Sequence, residues 1–158
     1  MKDRYKFSVT HKDKSIVELV KKTSHKVLAI WANDCVENVI QYFEERYPGD
    51  NRPRKAIEAL NSWINTGVLK MADIRRTALA SHAAAREVGE NNAARSAARA
   101  AGQAVATVHV PAHSIRAANY ALQAVNRAAN PSDSDTAIAK EMAWQYRHLL
   151  ELKNNNDI

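Results

Sequence analysis

A single cysteine occurs among 158 residues, so the chain can form no internal disulfide and no thiolate zinc cluster. Cys35 falls on the apolar stripe of its segment, where a thiol packs and stays inert. One free thiol also agrees with a reducing compartment. Glycine is scarce, and its four copies are spread singly, which excludes a glycine-rich phosphate loop. With only four prolines beside them, there are too few turn residues for a β-protein. Aromatics make up 6% and are not interleaved with the cations, which argues against a surface that stacks on nucleic-acid bases. No uncharged run approaches the roughly 20 residues that span a bilayer. The longest weakly polar run, Gly102 to Ala112, contains His109. Met1 to His11 is polar, without the apolar centre of a signal peptide. A cytoplasmic protein without a membrane segment is expected.

What is abundant is alanine, with leucine, glutamate, lysine and arginine, all of which favour helix. The expected class is all-α: one domain over residues 1–158, a compact bundle or stacked array of six to seven helices with alanine-rich interfaces. Residues 1–14 and 153–158 are expected at its periphery, the asparagine-rich end fraying. Ser15-Ile-Val-Glu18 has the form of a capping box, opening a short helix to about Lys22. Ser24 caps a longer one through Tyr47, with Val27, Ile30, Trp31, Cys35, Val39 and Phe43 inward. Pro53 suits a helix start, and Asn65-Thr-Gly67 its stop. Further helices are predicted over 70–88, 93–108, 112–128 and from about 133 to Leu152. Inward stripes are Ile115, Asn119, Leu122 and Val125 in the sixth, and Ile138, Met142, Tyr146 and Leu149 in the last. Methyl side chains bury little area each but let helix axes approach closely. The segment from Ala93 to Val108 is small almost all round, apart from a line of Arg95, Arg99, Gln103 and Thr107. It is expected to be central, with that line solvated or turned to a polar cleft.

Candidate functional residues collect in two places. His82, Arg86, His109 and His113 lie in the alanine-rich half. On an unbroken helix the i,i+4 spacing of His109 and His113 would suit a shared metal ion. Pro111 between them breaks that geometry, and a zinc site needs a third ligand such as Asp34, Asp73 or Glu87, which no motif aims. The favoured reading is structural: the proline marks a joint between two closely packed helices, and histidines satisfy its loose carbonyls. No metal or cofactor is expected. The other reading is a small-molecule- or metal-binding helical enzyme built on the same His and Arg residues around a cleft. The second place is Asp50-Asn-Arg52-Pro-Arg54-Lys55, which reads as an internal salt-bridge anchor ahead of an anionic contact at the helix start. The net charge of +6 favours acidic partners.

Specific pieces of the chain carry a family resemblance. Trp31-Ala-x-Asp34-Cys35, Phe43-Glu-Glu-Arg-Tyr-Pro48, Asp50-x-Arg52-Pro-Arg54, Ser81-His82-Ala-Ala-Ala-Arg86, His109-Val-Pro-Ala-His113, Ala118-x-Tyr120-Ala-Leu122 and Trp144-Gln145 stand in one order. In these the chain resembles bacterial immunity proteins of polymorphic toxin systems, the group likened to the fifth immunity type. The resemblance implies an all-helical protein that protects a bacterial cell by binding a toxin. With no convincing active-site arrangement among the residues, no catalytic turnover is expected. Inhibitors of nucleases commonly present an acidic face, and the basic charge of this chain sets it apart from them. The binding candidates are therefore Asp34, Arg52, Arg54, His82, Arg86, His109 and His113.

Overall fold

Helix-favouring composition is expressed throughout the computed structural model, which describes residues 14–156. Among the described residues there are eight helices and no strand. They are α1 (Lys14–Lys21), α2 (His25–Glu37), α3 (Gln41–Glu44), α4 (Arg52–Thr66), α5 (Met71–Glu87), α6 (Ala93–Ala106), α7 (His113–Ala128) and α8 (Ser134–Asn156). The expectations for residues 1–13 and 157–158 lie outside the described residues.

Local chemistry sets most of the ends. Ser24 caps α2, its hydroxyl accepting from the Val27 amide. Pro53 sits in the first turn of α4, where an amide would lack a partner anyway. Gly67 closes α4 in the left-handed region at φ 70°, its N–H donating to the Trp63 carbonyl at 2.8 Å. Asn92 caps α6 by accepting from the Arg95 amide at 3.0 Å.

Three expectations are corrected. Ser15 lies inside α1 and is not its cap. The single helix predicted from Ser24 to Tyr47 is two, because the amides of Val39 and Ile40 both turn to the Val36 carbonyl. That tight turn sends Val39, Ile40 and Phe43 into the core together, and it leaves two helices among the described residues where one was expected. The last helix, expected to end at about Leu152, continues to Asn156.

The core is continuous across α2 and α6, each of which contributes to both of its halves. One half gathers Val27, Leu28, Trp31, Cys35, Phe43 and Leu149 against Ala94, Ala97 and Ala98. The other gathers Val36, Ile57, Leu60 and Ile74 against Ala100, Ala101 and Ala104. Nothing larger than valine is buried on α6, which packs against α2, α3, α4, α5 and α7. It is the central helix. α7 also buries alanines, at 117, 118, 121 and 124, with Leu122 as its large residue. Ile115, Asn119 and Val125 are only half-buried. In α8, Leu149 and Gln145 are buried, and Ile138, Met142 and Tyr146 are at the margin.

Close axes bring polar groups within reach of neighbouring backbones. Ser81 of α5 donates to the Ala98 carbonyl of α6 at 2.7 Å. Trp31 Nε1 donates to the Gln145 carbonyl at 2.9 Å, and Gln145 Nε2 donates to the Ala118 carbonyl at 3.1 Å, tying α2, α8 and α7. At Gly102 the approach is closest: a Cβ there would stand 2.6 Å from His82 Nε2, so the imidazole rests on bare backbone.

Candidate functional site

The Arg-Pro-Arg start of α4 is an anchor. Arg52 grips Asp50 through Nε at 2.9 Å and Nη2 at 2.6 Å, and also pairs with Glu87 at the end of α5. Asp50 in turn accepts from the Arg52 amide at 3.1 Å. Arg54 makes a two-pronged contact with Glu44, at 3.0 and 2.8 Å, and pairs with Glu37 at the end of α2. These guanidinium contacts hold the carboxyls of Asp50 and Glu44 below their ordinary range. The geometry suits a planar fork and not a point charge. Replacing Arg54 with lysine is therefore expected to cost about 1 kcal/mol in urea unfolding, in the upper range for partly exposed pairs. An unchanged midpoint would mean the fork contributes nothing.

Asp34 belongs to a different cluster. It faces His148 Nε2 at 2.7 Å across the α2–α8 contact and accepts from Asn33 at 3.1 Å. The His148 ring stacks on Trp144, with centroids 4.7 Å apart. Cys35, beside Asp34, is fully buried. Burial, with the charges of Glu141 and Asp34, pushes its thiol well above the ordinary value, so it carries no thiolate at neutral pH.

The histidines divide. A carbonyl left by the end of α6, that of Thr107, is bound by His25, whose ring packs on Trp63. That service was expected of His109 or His113. His109 is instead exposed in the α6–α7 turn, and His113, on the far side of Pro111, pairs its Nδ1 with Gln103 Oε1 at 2.7 Å. Pro111 does mark the joint: its carbonyl accepts from the amide and hydroxyl of Ser114 as α7 begins. His82 is half-buried on α5, near enough to Arg86, Arg99 and His113 to feel their charges. Its Nδ1 is buried without a hydrogen-bond partner. Of the seven predicted residues, then, His82, Arg86 and His113 come together with His109 at their edge, while Asp34, Arg52 and Arg54 sit in separate networks. Among the described residues no group of three or more His, Cys, Asp or Glu is placed to hold a metal. Two clefts open elsewhere, neither lined by histidine: one of about 470 Å³ beside Tyr42, Arg46, Asn92 and Arg127, and one of about 80 Å³ beside Trp63, Val68 and Asp73.

Burial first, then neighbouring positive charge, lowers the pKa of both His82 and His113 below the ordinary 6.5. A depressed histidine pKa means the unfolded chain binds the extra proton. The stability held in the neutral rings is complete above 6.5 and is lost as pH falls towards their folded values. The lowered carboxyls of Glu44 and Asp50 lose theirs only further down, below their ordinary 4.5 and 3.8. The melting temperature is thus expected to begin falling on acidification through about pH 6, ahead of carboxylate protonation. A flat profile from about pH 7 to about pH 5 would contradict the burial of these rings.

One grouping escapes motif reading. Arg127 of α7 donates to Ser96 at 2.9 Å, and Ser96 donates to Gln123 at 2.9 Å, both Ser96 and Gln123 being buried. Arg95 lies close enough to Arg127 to repel it, and so does Arg99. The line of Arg95, Arg99, Gln103 and Thr107 meets two neighbours of α6, Arg95 reaching the Ala85 carbonyl of α5 and Gln103 pairing with His113 of α7. Its sequence signal is an absence: Asn91 to Ser132 contains no aspartate or glutamate.

An all-α protein whose conspicuous motifs tie helices together, with no helix among the described residues long and apolar enough to cross a membrane, is the class defined by these observations. A family model for the Imm-5 like putative immunity proteins matches residues 18–152, and the chain belongs to that family. No curated protein and no solved structure matches it.

Proposed function

We propose that this chain is a cytoplasmic immunity protein, a single domain that binds and neutralises a bacterial toxin without turning over a substrate. The family match across residues 18–152 carries the reading. The site geometry is consistent with it, because Asp34, Arg52 and Arg54 are engaged in contacts within the fold. Contacts already made before binding lessen the conformational freedom lost on association. Co-expression with toxins encoded beside it is the test. A complex that co-purifies and restores growth of toxin-expressing cells is the expected result. Failure to bind any neighbour-encoded protein overturns the proposal.

A further inference from the structure

The carboxylate-free stretch from Asn91 to Ser132 carries Arg95, Arg99, Arg116 and Arg127 with His109 and His113. Folding gathers these charges on α6, α7 and the turn between them. α5 adds His82 and, one turn on, Arg86. The groups are near neighbours. The His82 ring of α5 lies against Gly102 of α6, His113 of α7 pairs with Gln103 of α6 at 2.7 Å, and Arg95 of α6 reaches the Ala85 carbonyl of α5 at 3.1 Å. Arg99 and Arg86 act on His82, and Arg116 and His109 on His113. Among the described residues, Arg86, Arg99 and Arg116 pair with no carboxylate, and the nearest acids in sequence are taken, Glu87 by Arg52 and Glu90 by Arg46. Arg95 and Arg127 turn to neutral acceptors, the Ala85 carbonyl and Ser96. Like charges collected without internal compensation raise the energy of the free protein, and an anionic surface relieves it.

Two exposed apolar side chains lie on the same elements as these cations. Leu79 is 64% exposed and shares an α5 face with His82 and Arg86 by its spacing of three and seven residues. Val110 is 39% exposed beside His109. Apolar anchors within a charged rim are a feature of protein interfaces. Nucleic acid without sequence preference calls for stacking platforms, and Asn91 to Ser132 holds one aromatic, the half-buried Tyr120.

We infer that this face, with Arg86, Arg99 and Arg116 around Leu79 and Val110, is where the chain holds its protein partner, and that the partner meets it with an acidic surface. The inference rests on the immunity reading and names the surface that serves it. The probe is the neighbour-encoded toxin, titrated calorimetrically against wild type, against R86E/R116E and against K140E/R147E. All four positions are exposed, and the second pair makes the same change in net charge on α8, a helix that carries none of these cations. Melting curves check that both variants fold. Affinity is expected to fall by about tenfold or more for R86E/R116E, with K140E/R147E within about twofold of wild type, and wild-type binding to weaken with salt. Equal affinity for all three proteins overturns the inference while leaving the immunity reading intact, as does equal weakening of both variants. A random-sequence DNA duplex retained through Arg86 and Arg116, with toxin affinity unchanged in R86E/R116E, would assign the face to nucleic acid and likewise overturn it. Absence of any wild-type complex removes the immunity reading and this inference with it.

Discussion

Trp31→Ala is expected to lower unfolding free energy by about 4 kcal/mol, as measured by urea denaturation followed by circular dichroism. The indole is fully buried and joins the half of the core that also holds Leu28, Cys35, Phe43 and Leu149. Truncation removes most of its apolar area from that cluster and leaves a void that short alanine side chains on α6 and α7 cannot extend to fill. It also deletes the Nε1 donor to the Gln145 carbonyl, on the same α8 residue whose amide reaches α7 at Ala118. Domains of this size have a total of about 5–15 kcal/mol, so the variant would sit near the edge of folding. Trp31→Phe keeps part of the ring and loses the donor, and about 2 kcal/mol is expected. The urea slope should stay constant in both, because the surface exposed on unfolding barely changes. A loss below about 1 kcal/mol for Trp31→Ala would show that this part of the core is loosely packed.

The positions that were legible without coordinates are those whose cause is local. Ser24, Pro53, Gly67 and Pro111 act within one turn of themselves, and each marks a helix end or joint as its chemistry dictates. The split after Glu37 has no such marker. No proline or glycine stands between Ser24 and Tyr47, and the turn forms because burying Val39, Ile40 and Phe43 outweighs continuing the helix. The large residues of α7 stand out in the sequence, but its buried face is mostly alanine. A stripe of methyls is indistinguishable from an alanine-rich background until a neighbour covers it.

The same division holds at the candidate site. That Arg52 and Arg54 would anchor was visible in a loop carrying both charge signs, whereas Glu87 and Glu37 as their partners were not. His25 and His148 were missed because their acceptors lie 82 and 114 residues away, at Thr107 and Asp34. Nothing near either histidine signals the pairing. The missing carboxylates between Asn91 and Ser132 can be read from the sequence. Their meaning depends on α5, α6 and α7 bringing Arg86 and Arg99 near His82 and Arg116 near His113.

Whether the alanines are there for closeness or merely for helix propensity is decided by Ala101→Leu. Leucine has nearly the helix preference of alanine, so the substitution leaves the isolated helix almost unchanged. If α6 had room beside it, the added side chain would bury apolar area and stabilise by up to about 2 kcal/mol. Ala101 is fully buried, however, in the half of the core formed by Val36, Ile57, Leu60 and Ile74. α6 touches helices on several sides, so moving away from one neighbour presses it into another. Overpacking of a close-packed core costs about 1–3 kcal/mol, and the upper end applies where the helix cannot retreat. A loss of about 3 kcal/mol in urea unfolding is expected. Ala128→Leu, at an exposed position near the end of α7, is the matched control and should stay within about 0.5 kcal/mol of wild type. The sign of the Ala101 result separates the two accounts: a raised midpoint means a space existed that leucine filled, and a lowered one means the methyls set the distance between the helices.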